Sequence, residues 1–123
     1  MEPLVDAAMT RWFSEEVHRE RPEIIQLYRE MYTANPPMGY AANARGIGQI
    51  NLLPELNKIQ CPTLLLAGKD DRSTPSTDAE LIADAIPHAR LIVVPGTSHT
   101  VPEEQSDECN RMILEFLSQN VPS

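Results

Sequence analysis

Apolar residues recur at helical spacing through the first half of this chain, then give way to short unbroken runs. Pro22 opens a segment in which Ile24, Ile25, Leu27, Tyr28, Met31 and Tyr32 fall on one helical face. Asn35-Pro36-Pro37 stops it, because proline cannot continue the amide ladder. Met38 to about Ile50 reads as a second, alanine-rich helix, weakened by Gly46 and Gly48. A short helix near Pro3 to Trp12 and a helical turn near Pro54 to Lys58 complete an all-helical segment over residues 1–58.

The period changes at Cys61-Pro62. Thr63-Leu64-Leu65-Leu66-Ala67, ending at Gly68, has the unbroken apolar character of a strand covered on both faces of a parallel sheet. Pro75 begins a helix carrying Ala79, Leu81, Ile82, Ala85 and Ile86, closed by Pro87. Leu91 to Val94 is a second buried strand, ending at Pro95-Gly96. One helix from about Glu103 to Ser118 then buries Met112, Ile113, Phe116 and Leu117, with acids in its first turn. The expectation for residues 59–123 is therefore a βαβα unit with two parallel strands and a right-handed crossover. The whole is α/β.

Composition narrows the function classes. With 123 residues, 41% hydrophobic and 23% charged, the chain fits one domain with a modest core. A net charge of -8 argues against nucleic acid and anionic membrane surfaces as partners. The excess is uneven: residues 1–60 hold six basic and eight acidic side chains, residues 61–123 four and ten. No apolar run approaches the roughly 18 to 20 residues of a membrane span, and Met1-Glu2-Pro3-Leu4 lacks a signal-peptide start, so a cytoplasmic location is expected. Cys61 and Cys109 are far apart and lack metal-ligand spacing, which favours two reduced, partly buried thiols. Gly46-x-Gly48 has no preceding strand and no third glycine, so it is no dinucleotide site, and no cofactor or metal is expected. His18 and His88 sit in polar, charged surroundings and read as surface residues.

In a parallel sheet, reactive groups collect on loops beyond the carboxyl ends of the strands. Here those loops are Gly68-Lys69-Asp70-Asp71-Arg72-Ser73-Thr74-Pro75 and Pro95-Gly96-Thr97-Ser98-His99. A carboxylate from the first and the imidazole from the second could pair, the acid fixing the ring tautomer of a general base. The bland alternatives are a turn carboxylate ahead of Pro75 and a solvated loop histidine.

The stretch Ile59 to Asp71, the run Gly96-Thr97-Ser98-His99 and the terminal Ile113-Leu114-Glu115-Phe116-Leu117 resemble the last two strands and final helix of the α/β-hydrolase fold. The resemblance spans about residues 58 to 118. It implies a partial α/β-hydrolase fold with a helical cap over residues 1–58. Its Gly-x-x-Asp pattern places the triad acid on Asp71, with Asp70 as the alternative, and the base on His99. Ser98 stands where that family usually has glycine.

Arg11-Trp12-Phe13, Met38-Gly39-Tyr40-Ala41-Ala42 and Ile50-Asn51-Leu52 resemble 3-oxoadipate enol-lactonases and their relatives. This implies that Arg11 and Trp12 face a small acid-bearing ester or lactone; the plain alternative is that both serve packing. The family's nucleophile, a serine in Gly-x-Ser-x-Gly, occurs nowhere in these residues. The expectation is a C-terminal portion of a serine hydrolase that supplies acid and base and is inactive alone, completed by an N-terminal half or by self-association. The alternative is a catalytically dead remnant that acts as a self-associating interaction module.

Overall fold

The computed structural model describes residues 2–120. Helices α1 (Glu2–Trp12), α2 (Glu15–Glu20), α3 (Pro22–Thr33) and α4 (Pro37–Ile47) come first, followed by a 3-10 turn over Leu53–Lys58. Then come β1 (Thr63–Gly68), α5 (Ser76–Ala85), β2 (Ala89–Val94), α6 (Val101–Glu104) and α7 (Ser106–Asn120). The strands pair in parallel, Thr63 beside Ala89 through Gly68 beside Val94, with α5 as the crossover. This is the expected βαβα unit behind a helical segment.

Helix α2 was not expected. Its start is nonetheless written in the chain: the hydroxyl of Ser14 accepts a hydrogen bond from the Val17 amide, and Glu15 and Glu16 sit at the positive end of the short helix. The expected helix from Glu103 to Ser118 is instead two helices broken at Gln105, which leaves the helical region at φ -136°, ψ 64°. The break leaves carbonyls without helical partners, and Arg21 donates to two of them, Glu103 O at 2.7 Å and Glu104 O at 2.8 Å. Only tertiary contact fixes that break.

Two separate apolar clusters form. Val5, Ala8, Met9, Phe13, Val17, Ile25 and Tyr32 pack α1, α2 and α3 together. Val94, Val101, Cys109 and Met112 join β2 to α6 and α7, with Leu66 and Ile92 against them. The first cluster holds the helical segment in shape. Phe13, 2% exposed and edge-on to Tyr28 with ring centroids 4.9 Å apart, is its keystone. Phe13→Ala should lower stability by about 4 kcal/mol, read as a shifted urea midpoint.

Burial departs from expectation around the sheet. β1 is half-buried along most of its length, not covered on both faces, because among the described residues the sheet has two strands and each has one unpaired edge. Ile113 and Leu117, expected inside, are 37% and 44% exposed, Leu81 is 57% exposed, and no residue of α4 is buried. In α3, Leu27 and Met31 also face outward. Cys109 is buried as expected, whereas Cys61 is exposed, since it precedes β1 in an open bend; both are free thiols. Burial raises the Cys109 thiol above its ordinary range, so it remains protonated. No helix among the described residues is long and apolar enough to cross a membrane.

Candidate active site

Parallel pairing brings the two carboxyl-end loops to one sheet edge and locks them together. The Lys69 amide donates to Val94 O and the Asp70 amide to Thr97 O, each at 2.9 Å. Gly68 makes this approach possible: a Cβ there would lie 1.9 Å from Ser98 O and 2.7 Å from Thr97 O. Gly96, at φ +70°, turns the chain after β2.

Across that edge, Asp71 Oδ2 lies 2.9 Å from His99 Nδ1. The carboxylate is only 6% exposed, and the imidazole is 35% exposed. Asp71 Oδ1 accepts the amides of Ser73 at 2.7 Å and Thr74 at 3.0 Å, a local turn that fixes the carboxylate. Thr74 Oγ1 donates to Oδ2 at 2.9 Å and lies 3.3 Å from His99 Nδ1. The plain turn role for Asp71 and the pairing with His99 are therefore both present, one on each carboxylate oxygen.

Burial would raise the Asp71 carboxyl, but the hydrogen bonds from His99, Thr74 and Ser73 outweigh it and hold it below the usual carboxylate value of 3.8. The folded form thus gives up its proton more readily than the unfolded chain. Its stabilisation is complete above the ordinary carboxylate range and is lost as pH falls through the lowered value. Asp71→Asn should cost about 1 kcal/mol near neutral pH, discounted for the half-exposed imidazole. Melting curves of wild type and variant should converge below pH 3.8.

Asp70 points its chemistry elsewhere. Its backbone joins the loops, with its carbonyl 3.5 Å from Ser98 Oγ, and its side chain is exposed. Ser98, where glycine was expected, is 4% exposed, and its hydroxyl donates to Arg11 O at 3.0 Å. No residue other than glycine among those described has positive φ, so the turn accommodates serine without strain.

The C-terminal end of α1 packs directly on the histidine loop. The His99 amide donates to Trp12 O at 3.0 Å and Thr100 Oγ1 to the same carbonyl at 3.2 Å. The Trp12 and His99 rings lie roughly parallel, with centroids 6.2 Å apart. Trp12 also meets Tyr32 edge-on at 5.5 Å, and Tyr32 donates to the Tyr40 hydroxyl at 2.9 Å. Burial, followed by that hydrogen bond, pushes the Tyr32 phenol up to about 12, while the Arg11 charge pulls it down. Arg11 is thus exposed beside the aromatic row, and Trp12 is half-buried against the imidazole.

In front of the pair, a groove of about 820 Å³ is lined by Ile47, Ile50, Leu66, Ile82 and Val101, with Asp71 and His99 among its walls. A second cleft of about 510 Å³ lies between α1–α2 and the Asp70 loop, with Phe13, His18, Lys69 and Arg72 on its walls. Thr74 and Glu104 were given no site role by sequence reasoning. The turn around Asp71 carried a signal, since an Asp side chain accepts the amide two residues on, as it does from Ser73, but nothing local points to the Thr74 hydroxyl. Glu104 looked like an ordinary acid in a first helical turn. It is 9% exposed and accepts from the Ser98 and Ser14 amides at 2.8 and 3.2 Å. Beside it, Glu103 accepts from the Tyr28 hydroxyl, and burial with that bond raises the Tyr28 phenol to about 12.

The chain is similar to proteins of known family and fold. The α/β-hydrolase family described as TAP-like protein matches residues 41–122. The 3-oxoadipate enol-lactonase 2 of Acinetobacter baylyi is 28% identical over 111 residues, 90% of this chain and 41% of the relative. The crystal structure of the enol-lactonase from Burkholderia xenovorans LB400 superposes with a TM-score of 0.91 at 28% identity, covering 96% of this chain and 45% of that one. The malate-bound thermophilic esterase from Thermogutta terrifontis superposes at 0.88 with 31% identity, covering 97% and 44%. The chain therefore spans less than half the length of these relatives. The superpositions cover nearly the whole chain, and the family match extends over most of the sequence: this chain belongs to the α/β-hydrolase family.

Proposed function

We propose that this chain supplies the acid and base of a serine-type hydrolase acting on a small ester or lactone, with the nucleophile and oxyanion donors carried by polypeptide outside these residues. The observation that carries the reading is the 2.9 Å contact between Asp71 Oδ2 and His99 Nδ1. With Nδ1–H held by Asp71, the other ring nitrogen is left as the proton acceptor. A serine hydroxyl delivered to it would lose its proton to His99 while attacking the carbonyl, and His99 would return that proton to the departing oxygen. A water activated by the same nitrogen would then release the acid. The ester or lactone class rests on the names of the enol-lactonase and esterase relatives. An acid-bearing substrate would turn its carboxylate to Arg11, whose charge acts on Tyr32, with the Trp12–Tyr32–Tyr40 rings as an apolar wall.

None of the 123 residues lies in a Gly-x-Ser-x-Gly sequence, so His99 has no elbow serine to activate within them. The test is reconstitution: this chain is mixed with the nucleophile-bearing N-terminal half of an enol-lactonase relative and assayed on a generic ester. Hydrolysis that needs both components supports the reading, and a soluble, folded mixture without activity overturns it.

The exposed apolar residues around α4, α5 and α7 and the unpaired strand edges favour a second reading, a self-associating remnant without catalysis. Sedimentation separates the two. A tight homodimer that no N-terminal half displaces supports the remnant.

A further inference from the structure

We infer that Glu104 is the positioning residue of the histidine loop, its buried carboxylate fixing the backbone around Ser98 so that the His99 imidazole stands against Asp71. The inference rests on the role proposed for His99. Glu104 is the one acidic residue buried as a whole among those described. Taking a carboxylate out of water is costly unless its oxygens are supplied with donors. Here Oε1 accepts the Ser98 amide at 2.8 Å and Oε2 the Ser14 amide at 3.2 Å, while the Thr100 hydroxyl, 3.5 Å from Oε1, gives its proton to the nearer Trp12 O. Arg21, the nearby cation, is engaged by the carbonyls of Glu103 and Glu104 and not by the carboxylate.

The donors chosen matter more than their number. Ser98 precedes His99, and Ser14 caps α2 beside the end of α1 that receives the His99 amide. One carboxylate therefore spans the loop that bears the base and the helical segment on which that loop rests. From the other side, Thr97 O accepts the Asp70 amide, so the loop is held between Glu104 and the strand that leads to Asp71. Movement of the Ser98 amide is passed to an imidazole one residue away. A carboxylate suits this place because both oxygens accept. A glutamine can accept on one only, and its NH2 would confront an amide N–H.

The test uses the full 123-residue chain and reads the His99 tautomer by 15N NMR, which needs neither nucleophile nor substrate. In the wild type the proton sits on Nδ1, facing Asp71, and Asp71→Asn moves it to Nε2. Glu104→Gln is expected to shift the tautomer ratio toward Nε2–H about tenfold, the equivalent of one charge-assisted hydrogen bond. Tyr28→Phe removes the neighbouring Tyr28–Glu103 bond in the same junction and should leave the ratio at the wild-type value. An unchanged ratio in Glu104→Gln, an equal shift in Tyr28→Phe, or loss of the fold in Glu104→Gln would each reduce Glu104 to a structural residue and overturn the inference. A wild-type ratio retained in Asp71→Asn overturns the Asp71–His99 pairing itself. A response to Asp71→Asn without a response to Glu104→Gln overturns the positioning role alone.

Discussion

His99→Ala in the reconstituted hydrolase is expected to lower kcat by roughly 10^3-fold or more with little change in KM. In the proposed role the imidazole would both take the nucleophile's proton and return it to the leaving oxygen, so its loss would remove both transfers while leaving the apolar walls of the groove, Ile47, Ile50, Leu66, Ile82 and Val101, in place. Asp71→Asn should be nearly as damaging, again roughly 10^3-fold or more. It keeps an oxygen for the Ser73 and Thr74 amides, so the local turn survives. Its amide, however, can turn an N–H toward His99 and favour the wrong tautomer. Asp70→Asn is the internal control and should leave kcat within about twofold, because only the backbone of Asp70 joins the two loops. Steady-state kinetics on the three variants reads all of this. A fully active Asp71→Asn beside an inactive Asp70→Asn would exchange their roles.

A large effect on both fold and site is expected from Gly68→Ala. The new methyl would lie 1.9 Å from Ser98 O and 2.7 Å from Thr97 O, and both obstacles are backbone atoms that no rotamer change can clear. Either β1 separates from the histidine loop or the loop moves away from Asp71. A loss of about 3 kcal/mol or more is expected, measured by urea denaturation, and activity in the reconstituted hydrolase should fall further than stability alone explains. A stable and fully active Gly68→Ala would show that the loop has slack where the structure has contact.

Much of this architecture could be read from periodicity. The stops at Asn35-Pro36-Pro37 and Pro87, and the unbroken run Thr63 to Ala67, fix where helices end and strands lie because proline and β-run patterning act locally. The same local logic put an acid-bearing loop and a histidine-bearing loop at one sheet edge. What was not legible depends on contacts distant in sequence. The break at Gln105 exists because Arg21 and Tyr28, more than seventy positions earlier, engage the carbonyls of Glu103 and Glu104 and the side chain of Glu103. The burial of Glu104 follows from the docking of α1 on the histidine loop, which no window of residues around Glu104 reveals. Exposure was misjudged for Ile113 and Leu117 for a related reason. An apolar residue in a helix announces that it wants a partner surface, yet says nothing about whether that surface is present in the same stretch of chain. Of Asp70 and Asp71, both open in the sequence, it is the Asp71 carboxylate that receives two amides and one hydroxyl and lies 2.9 Å from His99 Nδ1.

The central claim, that His99 and Asp71 serve a nucleophile carried by other polypeptide, is tested most directly by p-nitrophenyl acetate hydrolysis with the purified 123-residue chain alone. The account predicts a rate no greater than that of free imidazole at the same concentration, with no burst of released nitrophenol. A burst equal to the chain concentration, abolished by His99→Ala, would place a working nucleophile within these residues and contradict it.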